Sequence, residues 1–244
     1  MKAPPLNDLL LALIYGAFTG LMIPLGGYLG SIERIQPRWL EQEVRHSVMA
    51  FGGGILIAAV AFVLVPEGLK LLPPWVGLLA FFAGGICFAV FEHLRHTRAG
   101  SKAQLLAMLT DFVPEAISLG AIMASRSTEA ALLALLIGAQ NLPEAFNAWR
   151  ELKGTGGHAR RRVMRIFFAL AAIGPIAVVT GYLFLADLPA VTGVIMMAAA
   201  GGILYLMFQD IAVKAHLKNR QAPSLAALAG FALGMMGNAL LGGG

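Results

Sequence analysis

Residues 109–116 read Leu109-Thr110-Asp111-Phe112-Val113-Pro114-Glu115-Ala116, and residues 140–145 read Gln140-Asn141-Leu142-Pro143-Glu144-Ala145. In each, a polar residue is followed three positions later by Pro-Glu-Ala, and each lies inside an apolar run of the length, about 20 residues, that a bilayer crossing needs. A carboxylate near the centre of a membrane helix costs about 2.5 to 3.5 kcal/mol on insertion scales, so such residues line a water-filled path or a binding site. The two stretches therefore point to a helical membrane bundle and to the depth at which its chemistry lies.

The rest of the chain agrees. Its 244 residues are 58% hydrophobic and only 13% charged, with a mean hydropathy of +0.77, against about 25% charged residues in a typical soluble domain. A water-soluble enzyme is excluded, and no length remains for a separate soluble domain. Apolar segments fall near 8 to 29, 46 to 66, 74 to 92, 103 to 125, 129 to 149, 164 to 186, 190 to 213 and 223 to 242. The expected fold is an all-α integral membrane protein of eight transmembrane helices, forming one domain over residues 1–244. The first segment lacks a strong basic flank and an A-x-A cleavage site, so it is expected to be retained.

The charges orient these helices. Of the 18 Lys and Arg residues, fifteen fall in the connections after helices one, three, five and seven, leaving only Lys2, Lys70 and Arg126 for the other side. By the positive-inside rule the fifteen face the cytoplasm and both termini lie outside, in an inner or plasma membrane. The net charge of +5 thus sets orientation, and the run Arg160-Arg161-Arg162 reads as a contact for anionic lipid rather than nucleic acid. A single cysteine, Cys87, excludes an intramolecular disulfide and a Cys-rich metal site.

Residues four apart stack on one helix face, so Asp111 pairs with Glu115 and Gln140 with Glu144. Each proline lacks an N–H and displaces the carbonyl four residues earlier, which frees the oxygens of Thr110 and Ala139. The connection between helices four and five is short, so the two run antiparallel as neighbours. Counted from that turn, Asp111 matches the depth of Glu144 and Glu115 that of Gln140, roughly 18 to 24 Å below the turn at 1.5 Å per residue. Carboxylates, an amide and loose carbonyls at one depth are the ligands of a divalent cation. Without one, three like charges would repel; the plain alternative is a buried polar network that pins two helices together. A second echo joins Gly53-Gly54-Ile55-Leu56 to Gly201-Gly202-Ile203-Leu204 on helices expected to run in opposite directions. Two such matches suggest the inverted repeat of secondary transporters, although glycines also serve simple close packing in lipid.

At these residues the chain resembles the ZIP family of divalent-metal transporters, whose fourth helix carries His-Asn-x-Pro-Glu-Gly and whose fifth carries a similar His-x-x-Pro-Glu-Gly segment. Phe51-Gly52-Gly53-Gly54-Ile55-Leu56 with Pro66-Glu67-Gly68 is similar to the family's second helix, and Gly201-Gly202-Ile203-Leu204 with Gln209-Asp210 to its seventh. The resemblance implies alternating-access import of zinc, iron, manganese or a similar ion through a site of Asp111, Glu115, Gln140 and Glu144. It also implies a homodimer. Asp111 and Gln140 replace the family's histidines, Phe112 replaces an asparagine of a second site, and the sixth-helix glutamate of that site is missing near Gly174-Pro175. Asn141 is the second site's remaining candidate ligand. Oxygen-only ligation suits Mg²⁺, Mn²⁺, Ca²⁺ or Fe²⁺ better than zinc, whereas the resemblance implies zinc or iron.

Elsewhere plainer readings prevail. Glu67 can reach water at the outer end of helix two, Asp210 pairs with Lys214 at i,i+4, and His93 and His96 with their arginines form a basic interface anchor. Met196, Met197, Met235 and Met236 read as core filling. No Ser-His-Asp set, Cys-His pair or phosphate loop occurs at useful spacing, so no enzyme is expected. The rival functions are a metal-binding membrane protein or sensor without transport, and a metal-dependent integral-membrane hydrolase.

Overall fold

The computed structural model describes residues 6–32, 38–96, 103–124, 129–152, 157–217 and 220–241. Along them the chain is helical, with no strand among the described residues. α1 is Leu6–Ile32. α2 runs from Arg38–Ala59 through a π-helical turn, Val60–Leu64, into Val65–Leu71. α3 is Pro74–His96, α4 Ala103–Ala124 and α5 Glu129–Leu152. α6 comprises Gly157–Ala171 and Ile173–Phe184. α7 runs from Pro189–Leu206 through a second π-helical turn, Met207–Ile211, into Ala212–Ala215, and α8 is Ala222–Leu241.

Six of these, α1, α2, α3, α6, α7 and α8, are long and apolar enough to cross a membrane. The other two, α4 and α5, carry the Pro-Glu-Ala stretches. α2 and α6 begin earlier than their apolar segments, at Arg38 and Gly157. Their leading turns are polar, with Arg160, Arg161, Arg162 and Arg165 exposed on α6, and an apolar-length reading starts only where the apolar side chains do. α6 is interrupted at Ala172 because Pro175 has no N–H for the Ala171 carbonyl. That carbonyl packs on α1, where a Cβ added to Gly20 would approach it to 2.2 Å.

The packing has an internal order. α1 lies along α5 as α6 lies along α4, α2 lies along α8 as α7 lies along α3, α2 packs on α5 as α7 packs on α4, and α1 with α6, α2 with α7 and α4 with α5 complete the main pairings. Exchanging α1 with α6, α2 with α7, α3 with α8 and α4 with α5 leaves this set unchanged. The echo of Gly-Gly-Ile-Leu falls on one exchange pair, α2 and α7, and so do both π-helical turns. Six residues before each π-helical turn, backbone touches backbone: a Cβ on Gly54 would lie 2.1 Å from the Ala227 carbonyl oxygen of α8, and one on Gly201 would lie 1.9 Å from the Phe81 oxygen of α3.

Polar contacts mark two ends of the bundle. At one, Arg150 of α5 bonds Glu41 of α2, Arg160 of α6 donates to Ser31 of α1 at 2.9 Å, and Arg220 before α8 pairs with Glu43 of α2 at 3.4 Å and covers the Trp39 ring. Lys214 pairs with Asp210 at 2.7 Å, as the i,i+4 spacing led one to expect. At the other end Lys70 pairs with Glu67 at 2.6 Å. The basic residues among these contacts divide between the ends as the charge count requires. Glu67 differs from its expectation: it is buried and ion-paired instead of reaching water. Met196 and Met197 fill the core, whereas Met235 and Met236 are exposed, because α8 is an outer helix that buries little beyond its glycine stripe of Gly230, Gly234 and Gly237.

Candidate functional site

α4 and α5 occupy the interior. Phe112, Ala116, Leu119 and Ile122 of α4 and Leu132, Leu133, Leu136, Ile137 and Ala145 of α5 all belong to one buried apolar cluster. A helix buried on every side has no solvent-facing stripe to absorb polar residues, so each polar side chain here is held inside apolar surroundings.

Glu115 is fully buried, and Gln140 is 1% exposed. The Gln140 Nε2 donates a hydrogen bond to Glu115 Oε2 across the α4–α5 contact. This is the facing that equal depth on antiparallel helices demands. Glu115 Oε1 and Gln140 Oε1 are buried with no hydrogen-bond partner. Glu144, one turn along α5 from Gln140, is half-buried and lies within interaction range of Glu115. Asp111 lies on α4 one turn before Glu115, and its side chain is outside the described residues. Arg34, Arg98, Lys102, Arg126 and Lys153, used in the charge count, likewise lie outside them, as do Lys2 and Lys218.

Asn141 turns elsewhere. It is buried, and its Nδ2 donates to the Thr19 carbonyl of α1 at 2.9 Å. The structure thus brings Glu115, Gln140 and Glu144 together and ties the Asn141 amide to a neighbouring helix. Two other positions that the resemblance related to a second site carry no oxygen side chain: Phe112 is packed in the core at 2% exposure, and Gly174 lies against the backbone of Gly16. Among the described residues no group of three or more His, Cys, Asp or Glu side chains is gathered as a metal centre. The donor set among the described residues is two carboxylates and an amide.

A cavity of about 730 Å³ opens between α2 and α5 and is lined by Glu43, Ser47 and Phe51 on one wall and Ala139, Leu142 and Pro143 on the other. Glu43 places it at the basic end of the bundle, and Ala139 is the residue whose carbonyl Pro143 cannot bond. Sequence reasoning passed over Ser118 and Asn147. Both are buried side chains with an oxygen that lacks a partner, and the signal was their spacing of three from the two glutamates.

No protein-family model matches the chain, and no curated protein matches it, so its site is read from its own chemistry.

Proposed function

We propose that the protein is a divalent cation transporter whose eight helices all cross the membrane, with the basic end in the cytoplasm and the termini outside. The observation that carries this reading is the buried Glu115 carboxylate, held by an amide donor, with a second glutamate one turn along α5 from that donor and one oxygen left unbonded. A buried carboxyl group is protonated, ion-paired or bound to a metal, since an isolated charge in apolar surroundings is strongly unfavourable. The bond from Gln140 is neutral, so it orients the group without balancing its charge. A cation that enters the site satisfies the unbonded oxygens of Glu115 and Gln140 and separates the two glutamates.

The packing exchange of α1–α4 with α5–α8 supports alternating exposure of that site, as in inverted-repeat transporters. The cavity beside Ala139 and Pro143 supports access from the basic end. Oxygen donors alone favour Mn²⁺, Fe²⁺ or Mg²⁺ over zinc, and the ZIP-like motifs support import into the cytoplasm.

The test is metal uptake into proteoliposomes from a panel of Zn²⁺, Fe²⁺, Mn²⁺ and Mg²⁺. Wild type takes up at least one of them, and Glu115→Ala and Glu144→Ala each lower the rate by about 100-fold, which corresponds to about 2.7 kcal/mol. Equal uptake by all three proteins rejects transport through this site. Tight binding without flux selects the sensor.

A further inference from the structure

The repeat on α4 and α5 extends one step beyond the glutamates. Asp111-Phe112-Val113-Pro114-Glu115-Ala116-Ile117-Ser118 and Gln140-Asn141-Leu142-Pro143-Glu144-Ala145-Phe146-Asn147 share a polar residue at the last position as well as the first. Ser118 is three residues past Glu115 and Asn147 three past Glu144, which puts each on the face of its glutamate.

Both side chains are buried and incompletely bonded. Ser118 is 1% exposed and its Oγ has no partner, although a helix serine ordinarily bonds back to a carbonyl one turn earlier or points to solvent. Asn147 is 2% exposed, and its Nδ2 donates to the Pro143 carbonyl at 3.1 Å. A carbonyl only accepts, so this bond fixes which way the amide points. It leaves Oδ1 buried and unpartnered. About nine in ten buried polar groups are satisfied in folded proteins. Two exceptions at the same position of a repeated frame, both presenting oxygen, therefore mark a place where something else supplies the partner.

Direction separates their roles. α4 and α5 are antiparallel, so Ser118 lies beyond Glu115 toward the α4–α5 connection, and Asn147 lies beyond Glu144 toward the basic end. With Glu115 level with Gln140, at 1.5 Å per residue the two are roughly 15 Å apart in depth, with the carboxylates between them. Hydroxyl and amide oxygens are accepted ligands of hard divalent cations. Uncharged, they hold an ion less firmly than a carboxylate does, which suits a place where the ion is received or released.

We propose that Ser118 Oγ and Asn147 Oδ1 are cation ligands flanking the glutamate pair, Ser118 on the side of the α4–α5 connection and Asn147 on the side of the basic end. This rests on the transport reading of Glu115 and Glu144. The competing explanation is a structural water bonded at each oxygen.

The experiment uses the full chain with Mn²⁺ and Zn²⁺ as probes, and measures uptake in proteoliposomes, equilibrium binding in detergent and thermal unfolding without metal. Ser118→Ala and Asn147→Ala each raise the Mn²⁺ concentration for half-maximal uptake about tenfold, equivalent to about 1.4 kcal/mol, and leave the metal-free unfolding midpoint unchanged. Asn147→Asp keeps the oxygen, adds charge and tightens Mn²⁺ binding. Half-saturation within twofold of wild type in all three variants, with Glu115→Ala inactive, overturns this inference alone. So does a lowered metal-free midpoint with unchanged half-saturation, the signature of a structural water. If wild type moves neither probe, or Glu115→Ala moves them as wild type does, the flanking ligands and the transport reading fall together.

Discussion

α4 and α5 carry one frame in two settings. α5 is gripped from several sides: α1 lies along it, α2 packs on it more extensively than α7 packs on α4, and α8 reaches it where, among the described residues, α3 makes no comparable contact with α4. Within the repeated frame its polar residues are Gln140, Asn141, Glu144 and Asn147, three of them amides, and one of these, Asn141, is bonded to the α1 backbone. α4 brings Asp111 and Glu115 and leans chiefly on α6. The repeat is therefore symmetric in motif and unequal in restraint. α5 acts as the fixed wall that presents donors and oxygens, and α4 as the charged wall with more freedom to shift.

The largest test of this contrast is Gln140→Leu. It removes the donor from the fixed wall and leaves Glu115 buried without any bond, so unfolding in detergent without metal should be easier by about 3 kcal/mol. Adding Glu115→Leu should restore most of the loss, since replacing both partners by apolar groups is nearly neutral. If the single variant is as stable as wild type, the bond does not hold the helices in register.

An intermediate effect is expected from glycines at the two walls. A Cβ on Gly26 of α1 would come within 2.2 Å of the Leu142 carbonyl oxygen of α5, and one on Gly120 of α4 within 1.9 Å of the Val178 oxygen of α6. Overpacking of this kind destabilises by about 1 to 3 kcal/mol. Gly26→Ala should sit near the top of that range and Gly120→Ala near the bottom despite its closer approach, because α4 can move away. Chemical denaturation of both variants ranks them, and the reverse order breaks the distinction between a fixed and a yielding wall.

The smallest effect belongs to Asn141→Ala, which loses one hydrogen bond to Thr19 and about 1 kcal/mol. Its Mn²⁺ half-saturation should equal that of wild type. A tenfold loss of affinity would return Asn141 to the ligands.

Much of this was legible in the sequence. Apolar runs place helical stretches because a membrane span must be both long and apolar, and antiparallel neighbours with a short turn put Glu115 opposite Gln140 by counting alone. The count fails where side chains stop being apolar before the helix ends, as in the leading turns of α2 and α6. It also fails on rotation. α5 is buried all round, so its composition does not reveal which face meets α1, and Asn141 could not be told from Gln140 beside it. Ser118 passes for an ordinary helix residue until its hydroxyl is found without a partner. Met235 and Met236 on lipid-suited α8 are indistinguishable by type from Met196 and Met197 in the core.

The π-helical turns in α2 and α7 have a consequence for these rotations. In each, an N–H reaches the carbonyl five residues back, Val65 to Val60 and Ala212 to Met207. One surplus residue advances everything downstream by about 100° around the axis, given 3.6 residues per turn. A single rod thereby offers one azimuth to α8 through Gly54 and another to α7 through Gly68, which rests on Met197. Deleting one residue from Val60–Leu64 would swing Glu67 and Lys70 by the same angle, detaching the C-terminal third of α2 from its neighbour while leaving the first two thirds in phase.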